Sequence, residues 1–220
     1  MRGRFTQILL GMAALAYLVG APHVARADTI QVEVRTNFFS PSDVSIATGD
    51  TIRWVWITGS HSTISVDNLW ASNVQGPGST FEYTFNQPGD FGYICSVHIV
   101  CCNMRGIVHV SDPVVLQGAL VAADADPDAT GAASFHMVPY RSMFDVTVQG
   151  VVSTTGVHVF VNGNFVGPIG LDAAGNGVLH LNTDNGDTVP ALHDGDEVEI
   201  YDAADDATLI LIGNVASGGG

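Results

Sequence analysis

Almost every apolar run in this chain is short, rich in β-branched or aromatic residues, and closed by Gly, Pro, Asn or Asp. Strands satisfy that pattern and long helices do not, so the sequence predicts an all-β protein. In the first half the runs cover 30–35, 44–47, 51–57, 63–66, 80–85, 92–95 and 106–110. In Arg53-Trp54-Val55-Trp56 the indoles alternate with other residues, which puts both on one face of a strand. Gly49-Asp50 and Pro88-Gly89-Asp90 read as turns between runs. Seven strands at this spacing fit a small Greek-key β-sandwich.

Ser111-Asp112-Pro113 interrupts the pattern, and the charge density changes there. Residues 28–112 hold 8 acids and 3 Arg, whereas residues 113–220 hold 14 acids and a single Arg. A boundary near residue 113 is expected, with a first domain over 28–112 and a second over 113–220. The second half again reads as strands, at 115–122, 133–138, 144–148, 157–161, 165–169, 178–182, 197–201 and 208–212. Asn162-Gly163 is a two-residue hairpin signal. A second sandwich-like all-β domain follows, and it carries no function-bearing motif. Its last four residues, 217–220, read as a frayed tail.

The N-terminus has Arg2 and Arg4, an apolar stretch over 5–21, and then Ala25-Arg26-Ala27. Those are the parts of a secretory signal peptide at residues 1–27, cleaved before Asp28. An exported protein is expected, periplasmic or extracellular, with no membrane insertion once the leader is gone. Losing Arg2, Arg4 and Arg26 takes the net charge from −15 to −18, and the chain contains no lysine. Such a surface excludes nucleic acid as a partner and attracts cationic ones. The same acids serve equally well to keep a secreted protein soluble or to suit a salty habitat.

Three cysteines, Cys95, Cys101 and Cys102, cannot build a disulfide framework. An odd thiol in an oxidising compartment needs another tether, and ligation of Cys95 to a metal supplies it. His98 follows Cys95 by three residues, Met104 closes the loop before the last strand, and His61 lies 34 residues upstream of Cys95. One thiolate, two imidazoles and a weak thioether suit a copper ion in a trigonal His2Cys site with an axial Met. Three donors on one loop and a fourth from a neighbouring strand end would clamp the ion across the sandwich's apex.

Several segments carry a resemblance: Asp50-Thr51-Ile52-Arg53-Trp54-Val55-Trp56, Gly59-Ser60-His61, Pro88-Gly89-Asp90-Phe91-Gly92-Tyr93-Ile94-Cys95-Ser96-Val97-His98 and Met104-Arg105-Gly106-Ile107-Val108. From residue 30 to residue 110 the chain resembles the cupredoxins, and within them the plastocyanin/amicyanin-like group. That resemblance implies one type 1 (blue) copper ion held by His61, Cys95, His98 and Met104. It also implies single-electron transfer to a redox protein partner and no enzymatic activity; the acidic charge suits a partner with a basic docking surface. A hydrogen bond from the Ser62 amide to the Cys95 sulfur is expected with it. The chain departs from the pattern in the His-to-Met gap, which is five residues here and two to four in the resemblance. Cys101, Cys102 or a backbone carbonyl therefore stand beside Met104 as axial donors. Cys101 and Cys102 could form a vicinal disulfide, remain reduced, or hold a second soft metal.

The remaining histidines lack ligand-like spacing. His109 alternates with Val108 and Val110 and should face outward; His136, His158, His180 and His193 are expected in core or surface roles. Asp124-Ala125-Asp126-Pro127-Asp128 opens like a calcium loop, but Phe135 occupies the twelfth position, where an acid is needed. Two rival functions are a copper storage or delivery protein and a structural module on a cupredoxin scaffold. Colour separates them, because Cys-to-copper charge transfer makes an electron carrier intensely blue.

Overall fold

The computed structural model describes residues 27–218, so the expected leader lies outside the described residues apart from Ala27. The first half contains β1 (Thr29–Arg35), β2 (Phe38–Ser40), β3 (Asp43–Ala47), β4 (Thr51–Trp56), β5 (Ile64–Ser65), β6 (Thr80–Thr84), β7 (Gly89–Ile94), a one-turn helix α1 (Ile99–Cys102) and β8 (Arg105–Ser111). Two four-stranded sheets result, in the orders β2-β1-β4-β6 and β3-β8-β7-β5. Each contains one parallel pair, β1 with β4 and β3 with β8. The sandwich is closed by alternation: Ile52, Trp54 and Trp56 of β4 point inward, while Arg53 faces water. Between the sheets lie Val32, Val34, Ile46, Trp54, Trp70, Tyr93 and Val108, all buried. Trp54 packs on Trp70 at 5.4 Å and edge-on to Tyr93 at 5.3 Å between ring centroids. Such pairs add about 0.5–1.5 kcal/mol each beyond the area they bury.

Two elements differ from the sequence expectation. β2 was not legible as a strand, because Phe38-Phe39-Ser40 is too short to show a period and runs straight into Pro41. It forms because Asn37 takes a left-handed conformation (φ 69°) that turns the chain back onto β1. Gly89 and Asp90 belong to β7 rather than to a turn, since β8 is long enough to pair with both of them, at Val110 and His109.

The second half contains β9 (Val114–Ala122), β10 (Thr130–Val138), β11 (Arg141–Gln149), β12 (Val157–Val161), β13 (Asn164–Ile169), β14 (Gly177–Asn182), β15 (Glu197–Asp202), β16 (Leu209–Asn214) and β17 (Ala216–Ser217). β9 pairs with β10 along most of its length and with β16 at Val121 and Ala122, so it belongs to both parts of one nine-stranded sheet. The sheet folds over at β9 onto Leu116, Phe135, Phe144, Val159, Ile200 and Leu211. The close crossing needs glycine: a Cβ on Gly118 would stand 2.2 Å from the Asn214 carbonyl oxygen. Asn162 and Gly163 both have positive φ in the β12–β13 hairpin, as their sequence predicts. Ser217 is not frayed, because it pairs with β9 and donates to Asp194 from its amide at 2.6 Å. The architecture is all-β throughout. Among the described residues, no helix is long and apolar enough to cross a membrane.

Candidate metal centre

At one end of the first sandwich the loops after β4 and β7 converge. His61 is held by its backbone: its amide donates to the Gln75 carbonyl at 2.9 Å, and its carbonyl accepts from the Gln75 amide at 2.8 Å. The same carbonyl accepts from the buried indole Nε1–H of Trp56, also at 2.8 Å. Behind the ring stands Gly59 (φ 77°), where a Cβ would come within 2.4 Å of His61 Nε2. Only glycine tolerates both that conformation and that proximity.

Cys95 leaves β7 fully buried, and its amide donates to the Met104 carbonyl at 3.0 Å. The His98 amide closes a turn onto the Cys95 carbonyl at 3.3 Å. In turn the His98 carbonyl accepts from Cys102 at 3.2 Å and from Met104 at 3.3 Å. The extra length between His98 and Met104 is therefore wound into α1, and Asn103 ends that turn in a left-handed conformation (φ 53°). Winding the insert up brings Met104 back into the core, 1% exposed, beside the strand end that carries Cys95. Cys101 and Cys102 are joined as a vicinal disulfide on the outer side of this turn, leaving Cys95 as the free thiol. Ser62 touches the loop through its hydroxyl, which accepts from the Ser96 amide at 3.0 Å and lies 2.8 Å from the Ser96 hydroxyl. The expected bond from the Ser62 amide to the Cys95 sulfur is not among the contacts of the described residues.

Three of the four expected ligands meet. His61 Nδ1 and His98 Nδ1 are 3.0 Å apart, and Cys95 Sγ lies 3.8 Å from the first and 3.5 Å from the second. A point equidistant from the three atoms of that triangle is about 2.0 Å from each, close to the ~2.0–2.3 Å that nitrogen and sulfur donors keep from a first-row metal ion. Burial lowers the pKa of His61 most, the facing His98 imidazole lowers it further, and a Thr58 backbone contact partly offsets both. A neutral imidazole, with its lone pair free, is the form a metal requires. His61 is 1% exposed, whereas His98 reaches the surface. One soft thiol, two imidazoles and a buried thioether nearby fit copper in its donor chemistry as well as its dimensions.

The other histidines among the described residues stay away from this corner. His109 faces outward from β8 against Asp90 at 2.6 Å and Asp43 at 3.4 Å. His158, His180 and His193 lie beside Asp206, Asp145 and Asp196, and His136 is buried in the second half. The acidic run around Asp126 is turn structure, closed by backbone bonds from Asp126 to Ala123 and from Ala129 to Asp126, and the Asp126 carboxylate accepts from the distant Val152 amide at 2.7 Å. Trp56 and Gly59 stand in the sequence only within the segments that carry the resemblance, Trp56 as a core and site-shielding residue, and neither is given a part there in holding His61. Their only signal was position: an inward-facing indole at a strand end, and a glycine two residues before a ligand.

Residues 27–111 match the family model of copper-binding proteins of the plastocyanin/azurin family. Among solved structures, a copper-containing nitrite reductase from Thermus scotoductus is 27% identical over 39% of this chain, with a TM-score of 0.35. The match takes in 23% of the reductase, so the chain spans less than a quarter of that enzyme's length. A purple cupredoxin from Nitrosopumilus maritimus is 27% identical over 37% of this chain and 98% of its own, with a TM-score of 0.34. A reduced form of amicyanin is 21% identical over 40% of this chain and 87% of its own, with a TM-score of 0.35. The match to the plastocyanin/azurin family of copper-binding proteins, over residues 27–111, thus takes in the whole sandwich that brings His61, Cys95 and His98 together.

Proposed function

We propose that the protein is an exported type 1 copper protein that carries single electrons between redox proteins. His61, Cys95 and His98 are its three strong ligands and Met104 the weak axial one. The observation that carries the reading is the convergence of two imidazole nitrogens and one thiol around a point about 2.0 Å from all three. Copper bound there supplies a one-electron couple between Cu(I) and Cu(II).

The chain's own part is to keep the donors still. Cys95 is fixed by the β7–β8 ladder and the Met104 carbonyl, and His61 by Gln75 and Trp56. A site whose donors barely move between charge states exchanges electrons with little reorganisation. Burial of His61, Cys95 and Met104 excludes water from three sides, which leaves the His98 edge as the natural exit for an electron. Val97 and Val100, 53% and 97% exposed, flank that edge and offer a partner a dry contact. The net charge favours a redox partner with a basic docking surface, and exchange that slows as salt is added. Export by a leader at residues 1–27, to the periplasm or beyond, agrees with a disulfide on an exposed turn. A domain division near residue 113 would leave the second half to attach or position the first.

The test is a copper-loaded redox titration of the full chain, followed by visible and paramagnetic resonance spectroscopy. An intense blue colour that bleaches and returns with one electron is expected, and Cys95→Ser should abolish it while the fold persists. Stoichiometric but colourless copper would point to storage or delivery instead.

A further inference from the structure

Asp50 is the most buried carboxylate in the first half, at 1% exposure, and it sits where the two halves of the chain meet. Its Oδ2 accepts from the Ala47 amide at 2.9 Å and from the Tyr140 hydroxyl at 2.9 Å. Its Oδ1 accepts from the backbone nitrogen of Asp28 at 2.8 Å. No arginine or histidine pairs with it among the described residues. A buried carboxylate served only by neutral donors is costly, and a cation in contact would offset much of that cost. Asp28 is itself fixed on both sides, with its carbonyl accepting from Thr51 at 2.9 Å and its side chain lying 3.4 Å from Arg141.

We infer that the peptide bond between Ala27 and Asp28 is the processing site, and that the amino group it frees is the missing counter-ion of Asp50. Water, delivered by an endopeptidase of the signal-peptidase class, adds across that bond. Ala27 leaves with a new carboxylate, and the nitrogen of Asp28 becomes an amine that takes up a proton near neutral pH. The nitrogen already stands 2.8 Å from Asp50 Oδ1, so a neutral amide donor becomes an ammonium without any movement. Ala27 is exposed, so nothing has to unpack for the chain to end there. Tyr140, from the turn between β10 and β11, donates to Asp50 and also lies 3.2 Å from the Asp28 carboxylate. Burial and the neighbouring Asp50 and Asp28 raise the pKa of its hydroxyl, so it remains a donor over the whole working range. Processing therefore completes a buried joint between the copper-binding half and the C-terminal half.

The inference rests on the export reading but not on the copper chemistry, so the two can fail separately. Mass spectrometry of the exported protein should find Asp28 at its N-terminus; any other start overturns the inference and leaves the blue copper reading standing. Chains beginning at Asp28 and at Ala27 are then melted at pH 6, each with Asp50 and with Asp50→Asn. The Asp28 chain should melt several degrees higher, and the substitution should erase the gap. Equal melting, or a gap that survives Asp50→Asn, refutes the pairing. If Asp50→Asn does not fold, pH decides. The ammonium faces Asp50, its own side chain, Tyr140 and, beyond them, Arg141. Pairing raises its affinity for a proton above the ordinary range of about 7.7–8.0, so the gap should be complete below that range and vanish by about pH 10. A gap unchanged at that pH refutes it as well.

Discussion

In the copper corner His61 and His98 face each other and a thiol, and no carboxylate is among their partners in the described residues. In the C-terminal half His158, His180 and His193 each lie against one aspartate, Asp206, Asp145 and Asp196. The residue type is the same and the chemistry opposite. An aspartate at contact distance occupies a ring nitrogen that a metal would need, whereas burial beside a second imidazole favours the neutral form of His61, whose lone pair can bind a metal. Ligand histidines are distinguished by what surrounds their ring nitrogens, not by their number.

The sharpest way to break that comparison is to delete one ring from each region. His61→Ala should lower copper affinity by more than about 100-fold, since loss of a ligand exceeds the 10–100-fold typical of its supporting contacts. His158→Ala should leave affinity unchanged. Competition with a chelator of known strength measures both. Equal losses would mean that the aspartate-paired rings also take up copper.

Gly59→Ala attacks the wall behind His61 instead of the ring. The new Cβ meets Nε2 at 2.4 Å in a conformation with φ 77°, so the imidazole or the loop must shift. A stability loss of about 1–3 kcal/mol is expected from the backbone strain. A fall of about 10–100-fold in copper affinity should accompany it, with a displaced visible band. Trp56→Phe is milder, because the His61 carbonyl keeps the Gln75 amide when the indole donor is lost. About 1 kcal/mol and no more than about tenfold in affinity should go, read by melting and by the same competition. A larger effect from Trp56→Phe than from Gly59→Ala would show that the indole, rather than the glycine wall, sets the ring.

Much of this corner could be read before any coordinates. Cys95, His98 and His61 stood out because strand periodicity placed each at an apex and their side chains form a copper set. The length of the loop to Met104 could not be interpreted so early: five residues are able either to bulge or to coil, and only hydrogen bonds to the His98 carbonyl decide between them. β4 and β8 were legible from alternation, which burial on one face enforces. β2 was not, since three residues show no period and its existence depends on β1 being there to pair. The second half shows the same limit at larger scale. Its strands were visible one by one, yet nothing in sequence order tells that β9 serves two parts of one sheet, because that pairing is set by a close approach at Gly118. The aspartate partners of His158 and His180, 48 and 35 residues away, were equally out of reach.

His109 offers the finest test, because it places an aspartate-paired ring on the copper-binding sandwich itself. The hydrogen bond to Asp90 raises its pKa, slight burial opposes this, and the charges of Asp90 and Asp43 add to the rise. The folded-state value therefore lies above the ordinary ~6.5, so the pair's stabilisation is complete below that pH and is lost as pH climbs through the raised value. The ring is 39% exposed, so solvent screening reduces the effect to a melting shift of at most about 2 °C. His109→Gln should remove that slope between pH 6 and 8 and leave the copper band untouched. A band that moved with His109 would mean that the outer face of β8 is electrostatically coupled to the metal corner, and the separation between the two kinds of histidine would not hold.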